Sequence, residues 1–377
     1  MKSYCKGLAV DGTLLGEAYE RWLDGGAGRR NGWRVRREHG SAEALIAEIA
    51  REVADGTLHF EPISTATRHD GGKDREIGIE PVKQQVCGYA VDVALEGLMR
   101  ARLGYWQFSR KGMGQFRAAP TVKRWMNGCR HHVHGDVRKC YDSISCEVVM
   151  RILEKYVRSP DVLRVARAIL DSYPDGHLMI GSFFSMRMAH LVLSFGYHRV
   201  EAMHKARRGK RRALVAHQCW YVDDFWLFGN DRRDLKAAMR ELSRYMRDEL
   251  GVELKPWKVC RCDVPPREVR GRSLPMAEPA DIAGPVVDRG RVTIRAETFL
   301  KARRCLLRYR RKPWSDRLAR RLISYWGWLK NTDCRRFCRE NGVYAAVASA
   351  KRLVGDMDRG RARCHSRQSF ATASPRG

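Results

Sequence analysis

Three acids are the residues of this chain best suited to chemistry. Asp223 and Asp224 are adjacent and separate two aromatic-rich apolar runs, 218–222 and 225–228. Asp136 closes the run His132-Val133-His134-Gly135-Asp136, which has strand character and continues into Val137. Carboxylates are the hard oxygen donors that Mg²⁺ takes. Phosphoryl transfer to a hydroxyl uses two such ions about 3.5–4 Å apart, one at the attacking oxygen and one at the leaving group. Adjacent aspartates in a turn are ordinarily turn formers. Here the apolar flanks predict a buried hairpin with acids at its tip, and charge at the end of buried strands is costly unless cations compensate it. Asp136 adds a third carboxylate to such a cluster.

The elements that must position these acids can be read from periodicity. Apolar residues recur at helical spacing over 17–23 and 42–53, with a glycine-rich basic stretch, 25–31, between them that reads as a flexible loop. A turn over 69–75 carries Lys73 and Arg75 and leads into a strand at 76–79. Helices are predicted at about 83–102, 145–157, 188–204 and 233–250, the last stopped by Gly251. A loop over 176–185 opens the third of these, and basic 207–212 reads as a surface turn. Prolines interrupt 263–290, which predicts a boundary with short strands. From 291 the chain is helical and Arg-rich, with Trp314, Trp326 and Trp328 among its cations, and their packing in a helix core is favoured over base stacking. After 355 it reads as a frayed polar tail. His131, His132 and His134 read as structural or phosphate-facing residues.

Composition points to a polyanionic partner. Lys+Arg number 72 against 43 Asp+Glu in 377 residues, a formal net charge of +29. Each neutralised phosphate releases counterions and adds affinity, so nucleic acid is favoured over an anionic membrane. Hydrophobic residues at 44% suffice for a sizeable core. No apolar run approaches the roughly 20 residues that cross a bilayer, and the start lacks a signal-type apolar segment, which makes a cytoplasmic location the expectation. The 12 cysteines are expected to be reduced thiols. Cys260-x-Cys262, Cys334-x3-Cys338 and Cys364-His365 lack the paired C-x2-C spacing of zinc sites.

Seven motifs, in order from Lys73 to Gly284, resemble those of reverse transcriptases. Lys73-Asp74-Arg75 with 76–79 resembles the fingers motif whose cations meet the incoming triphosphate. Gly112-Met113-Gly114-Gln115 resembles the motif that follows. Asp136 to Ile144, including Tyr141 and Asp142, resembles motif A. Gly181 and Ser185 resemble the GxxxS of motif B. Tyr221-Val222-Asp223-Asp224 resembles the YxDD box, Leu250 to Lys258 resembles motif D, and Asp281 to Gly284 sits where the primer grip falls. Two features depart from the pattern: Met186 follows Ser185, and the primer grip lacks its aromatic-Leu-Gly form.

The resemblance implies an α+β right-hand polymerase. Its divisions are an N-terminal helical extension (1–63), fingers (64–135), a palm with an antiparallel sheet (136–290), a small helical thumb (291–355) and a tail (356–377). It implies RNA-templated DNA synthesis with Mg²⁺ or Mn²⁺, held by Asp136, Val137, Asp223 and Asp224. Lys73 and Arg75 would clamp the triphosphate, and Tyr141 would exclude a ribose 2′-hydroxyl. Gly181 and Ser185 would border nucleotide and template, and Lys258, with Lys255 as competitor, would give a proton to pyrophosphate. Partners implied are an RNA template, a DNA or RNA primer, dNTPs, a structured RNA encoded nearby, and an accessory protein or second copy. The setting is a compact bacterial enzyme of retron, diversity-generating or phage-defence type. RNA-templated RNA synthesis, template-independent or protein-primed synthesis of the abortive-infection type, and an inert nucleic-acid-binding scaffold are the competing readings.

Overall fold

The computed structural model describes residues 2–70, 73–110, 112–263, 267–269, 272–274 and 278–371. The chain begins with α1 (Gly12–Asp24), capped by Asp11, whose carboxylate accepts the Thr13 and Leu14 N–H groups. Helix α2 (Gly26–His39) follows at once, where the sequence predicts a loop. The glycines there serve contact rather than flexibility. A Cβ on Gly28 would lie 2.1 Å from the Trp22 carbonyl oxygen, so only glycine lets α2 fold back against the end of α1. Ser41 caps α3 (Ala42–Ala54), which buries Leu45, Ile49 and Val53.

β1 (Ser64–Asp70) and β2 (Lys73–Ile79) form an antiparallel hairpin, so most of the turn predicted over 69–75 is strand. The single helix predicted at 83–102 is two, α4 (Val82–Ala94) and α5 (Glu96–Arg102), broken at Leu95. Then come α6 (Gln115–Gly128), β3 (His131–Asp136), α7 (Cys140–Ser143), α8 (Cys146–Tyr156) and α9 (Pro160–Asp171). Helix α10 (Phe183–Ala202) is apolar on nearly all sides and is buried accordingly. The basic turn at 207–212 joins β4 (His204–Arg207) to β5 (Lys210–Ala213). Arg208 and Gly209 both have positive φ there, the form that matches strand twist in a two-residue hairpin loop. β6 (His217–Tyr221), β7 (Asp224–Gly229) and α11 (Arg232–Leu250) follow, and Gly251 ends α11 at φ 70°.

The remaining strands are short: β8 (Val259–Arg261), β9 (Arg267–Val269), β10 (Arg272–Leu274), β11 (Ala280–Asp281), β12 (Pro285–Val287) and β13 (Val292–Ile294). The chain closes with α12 (Ala296–Arg311), α13 (Asp316–Leu329), α14 (Arg335–Glu340) and α15 (Val343–Ala371). The backbone of α15 runs through the segment predicted as tail. Polarity alone does not end a helix, and Asp358 is held by Arg320 of α13 while Asp356 pairs with Arg359.

The protein is therefore α+β with antiparallel pairings. It divides into two compact units, Met1–Ser109 with Val133–Val259, and Arg110–His132 with Cys260–Gly377. The first unit contains the strand order β6-β7-β3. Trp220 of β6 stacks on Phe225 of β7 with ring centroids 4.3 Å apart. A Cβ on Gly135 would lie 2.1 Å from the Phe225 ring, which explains a glycine next to Asp136. In the second unit β11-β12-β13 accompany α6 and the C-terminal helices, whose core includes Leu306, Tyr309, Leu322 and Val347. Trp326 and Trp328 pack against that core, whereas Trp314 is exposed. No helix among the described residues is long and apolar enough to cross a membrane.

Candidate active site

The predicted hairpin is present, and its loop is Val222-Asp223, between the paired residues Tyr221 and Asp224. Val222 has φ 55°, a left-handed conformation that a β-branched residue rarely adopts. The tip is tied to the end of β3: the Val137 N–H donates to the Asp223 carbonyl at 3.1 Å. On the other side the Lys255 N–H donates to the Asp136 carbonyl at 2.8 Å, and the Arg138 N–H donates to the Glu253 carbonyl at 2.8 Å. Residues 136–138 are thus held between the hairpin tip and 253–255. The three acids predicted from sequence lie on adjoining backbone segments.

Each acid has a different environment. Asp136 Oδ2 accepts from Lys255 Nζ at 2.7 Å, while Oδ1 is buried with no hydrogen-bond partner. An unmet buried carboxylate oxygen is expensive, so this atom is poised for a cation. Asp224 Oδ1 lies 2.9 Å from His134 Nε2, and the His134 ring stacks on Trp226 at 4.8 Å. Burial pushes the Asp223 carboxyl up to about 6, and the negative charges of Asp224 and Asp136 add to the shift while Lys255 opposes it. Like charges crowd the site, and the Lys255 ammonium takes part of the load. Among the described residues no three His, Cys, Asp or Glu side chains are already grouped as a metal-ligand set. The donor chemistry and the unpartnered Asp136 oxygen do fit a divalent ion. The Val137 side chain is buried, so only its carbonyl could contribute a ligand.

Neither protein-family models nor curated proteins match this sequence.

The other predicted residues fall in three places. Tyr141, half-buried in α7, feels the charge of Asp223: burial raises its phenol, and neighbouring Cys140 and Asp223 raise it further. Of the two candidate lysines, Lys255 holds Asp136, and Lys258 is exposed three residues on. On the β1–β2 hairpin, Arg75 is exposed and directly opposite Arg68. Like charges facing each other across strands are destabilising, and an anion would relieve them. The Lys73 backbone pairs with Asp70, and its side chain lies outside the described residues.

Gly181 and Ser185 build the loop before α10. The Gly78 N–H donates to the Ile180 carbonyl at 2.8 Å, docking this loop on β2. Gly181 has φ 104°, and a Cβ there would lie 2.6 Å from Ile77 Cγ2. The close approach that needs glycine is therefore to β2. Ser185 is fully buried, and its hydroxyl accepts the Met179 N–H at 3.3 Å, so it braces the loop from inside. A buried chain of polar groups runs alongside: Tyr173 Oη donates to Glu80 Oε1 at 3.1 Å and lies 2.8 Å from Ser182 Oγ, which caps α10.

Sequence reasoning missed three partners of the predicted residues: His134 beside Asp224, Arg68 opposite Arg75, and Glu80 in the polar chain that reaches Ser182. His134 stands two residues before Asp136, hence on the same strand face, which was the available signal. His132, by contrast, is buried with Nδ1 3.3 Å from Cys262 Sγ.

Proposed function

We propose that this chain is an RNA-directed DNA polymerase that extends a primer on an RNA template with dNTPs. The observation that carries the reading is the junction of Asp136, with its buried unpartnered oxygen, and the strained Val222-Asp223 tip. Asp136, Asp223 and Asp224, with the Val137 carbonyl, would hold Mg²⁺ or Mn²⁺. When bound, the ions supply activation of the primer hydroxyl and charge compensation at pyrophosphate. In the reaction the primer 3′-hydroxyl gives up its proton to solvent as its oxygen bonds the α-phosphorus, the bond from that phosphorus to the bridging oxygen of the β-phosphate breaks, and pyrophosphate leaves. Arg75 with Arg68 would neutralise the triphosphate, a task suited to guanidinium forks. Tyr141 would press against the sugar and disfavour a 2′-hydroxyl. Lys255, already at the acids, is better placed than Lys258 to steady charge there. In right-hand terms the β1–β2 hairpin belongs to the fingers, the β6-β7-β3 sheet to the palm, and the helices from α12 to the thumb. A dedicated structured RNA and a cytoplasmic retroelement or phage-defence role belong to the same reading.

One observation favours the scaffold reading. Lys255 forms an ion pair with Asp136, and the His134 ring lies within hydrogen-bond distance of Asp224, so two of the acids have side-chain partners from the protein itself. Primer extension on an RNA template, with dNTPs against rNTPs and Asp223→Ala/Asp224→Ala as control, separates the readings. Template-length DNA from the wild type and none from the variant is expected. Extension with rNTPs alone would remove the role given to Tyr141, and product without added template would favour template-independent synthesis. Wild type and variant equally inert, with intact nucleic-acid binding, would favour the scaffold.

A further inference from the structure

We infer that His134 is a positioning residue: it holds the Asp224 carboxylate by one oxygen, so that the other, Oδ2, is presented to a divalent ion. His134 stands on β3 and Asp224 on the neighbouring strand β7. Side chains two apart on a strand share a face, so His134 lies with Asp136 on one strand and Asp224 with Trp226 on the other. The imidazole is restrained twice. Its Nε2 lies 2.9 Å from Asp224 Oδ1, and its ring stacks on Trp226 with centroids 4.8 Å apart and planes 16° apart. Trp226 is itself buried, so the platform under the imidazole is fixed. An ionised carboxylate only accepts, which makes Nε2 the donor in this contact. Asp224 Oδ2 and His134 Nδ1 have no partner among the described residues.

Asp136 is handled in the same way. Lys255 Nζ donates to its Oδ2 at 2.7 Å and leaves Oδ1 buried without a partner. Each of these two acids therefore has one oxygen engaged by the protein and one left over. A hydrogen bond on one oxygen fixes the rotation of a carboxylate, and outer partners of this kind are worth about 10–100-fold in metal affinity. Folding stability is not the use of the His134 contact. The His134 and Asp224 side chains are 47% and 29% exposed, and polar pairs so open to solvent contribute little to the fold. The two donors differ in stiffness. Lys255 carries its ammonium on a flexible four-carbon stem, whereas the His134 donor sits on a rigid ring stacked against Trp226. His134 thus sets direction where Lys255 supplies charge.

The inference rests on the polymerase reading for the ion itself, and its test reads metal binding rather than synthesis. Calorimetric titration of the full chain with Mn²⁺ compares the wild type with two variants. His134→Phe keeps a ring for Trp226 but cannot donate, and His134→Gln has an amide that can donate to the same oxygen. His134→Phe is expected to bind Mn²⁺ about 10–100-fold more weakly, and His134→Gln to recover most of that loss. A packing role alone predicts the opposite order. Wild-type affinity in His134→Phe, or equal loss in both variants, overturns the inference. His134→Phe combined with Asp224→Ala should lose no more than Asp224→Ala alone, because His134 acts through that carboxylate, and additive losses overturn the inference too. Should His134→Phe fail to fold, His134→Ala takes its place against His134→Gln with the same expectations. Primer extension with the same preparations keeps the two readings apart. Synthesis by the wild type, with Mn²⁺ affinity that ignores residue 134, overturns the positioning role alone. Affinity that depends on His134, without synthesis, supports the positioning role and counts against the polymerase. A wild type that binds no Mn²⁺ overturns both.

Discussion

Val222 places a β-branched side chain at φ 55° between the paired residues Tyr221 and Asp224. Left-handed non-glycine conformations cost on the order of 1–3 kcal/mol and persist where surrounding structure enforces them. Here the enforcing contact is the Val137 N–H on the Asp223 carbonyl. Val222→Gly should relieve the strain, offset in part by the extra freedom glycine gains in the unfolded chain, about 0.5–1 kcal/mol. A net stabilisation of about 1 kcal/mol is expected, read as a higher denaturant midpoint at constant slope. A lower midpoint would mean that the half-buried valine packs more strongly than its backbone is strained. Asp223 yields a second prediction at this scale. Its carboxyl, raised to about 6, carries a proton below that pH in the metal-free protein. A divalent ion must displace that proton, so Mn²⁺ affinity should fall as pH drops through about 6. Calorimetric titration at pH 5 and 7.5 checks it, and equal affinity at both would remove Asp223 from the ligand set.

The loop 176–182 couples β2 to the start of α10, and glycine makes the coupling possible. Gly181→Ala would drive a Cβ to 2.6 Å from Ile77 Cγ2 and 2.9 Å from the Gly78 carbonyl, at φ 104°. A loss of about 2–4 kcal/mol is expected from strain and overpacking together, measured by chemical denaturation. Glu80 tests the same coupling through pH. Burial raises its carboxyl above the ordinary 4.5, against the lowering effect of Ser182 and Tyr173. From pH 4.5 up to that raised value the folded state holds more protons than the unfolded, so stability falls as pH rises through the window. Glu80→Gln should flatten that part of the wild-type stability profile; an identical slope in the variant would mean Glu80 does not titrate there. These elements also explain what could be read in advance. The β6–β7 hairpin is legible because two short continuous, aromatic-rich apolar runs flank its acids, and α11 because its apolar residues recur with a period of 3.6 and a terminal glycine follows. Helix α2 is not, because the glycines that permit its close packing on α1 mimic a loop in one dimension. Helix α6 carries an internal Pro120 and no side-chain cap, so its local signal is weak. His134 and Arg68 gain their partners from neighbouring strands: the His134 ring meets the Asp224 carboxylate of β7, and Arg68 faces Arg75 in the β1–β2 register.

Chain order also conceals the make-up of the second unit. Helix α6 belongs to that unit, although more than a hundred residues of the first unit separate it from the rest. Phe116 meets the Trp328 ring edge-on at 5.2 Å. Arg289 closes the C-terminal end of α6 by donating to the Met126 and Cys129 carbonyls, and Asn127 Nδ2 donates to the Arg289 carbonyl. The face thus covered includes Ala118, Ala119, Val122, Trp125 and Met126. A chain ending at Val259 removes every one of these partners. It leaves α6 with an uncovered apolar face and unmet C-terminal carbonyls, and a 14-residue helix alone is marginal in water. Limited trypsin digestion of that truncated chain should cut first within 110–132, at Arg117, Lys123, Arg124 or Arg130. The rate there should exceed that in the full chain by about tenfold or more, since opening populations govern such cleavage. The core of the first unit, centred on residues such as Trp22, Leu191 and Leu242, should survive the same digestion. Equal protection of 110–132 in both chains would mean that α6 draws its stability from the first unit, and the division of the chain would have to be redrawn around it.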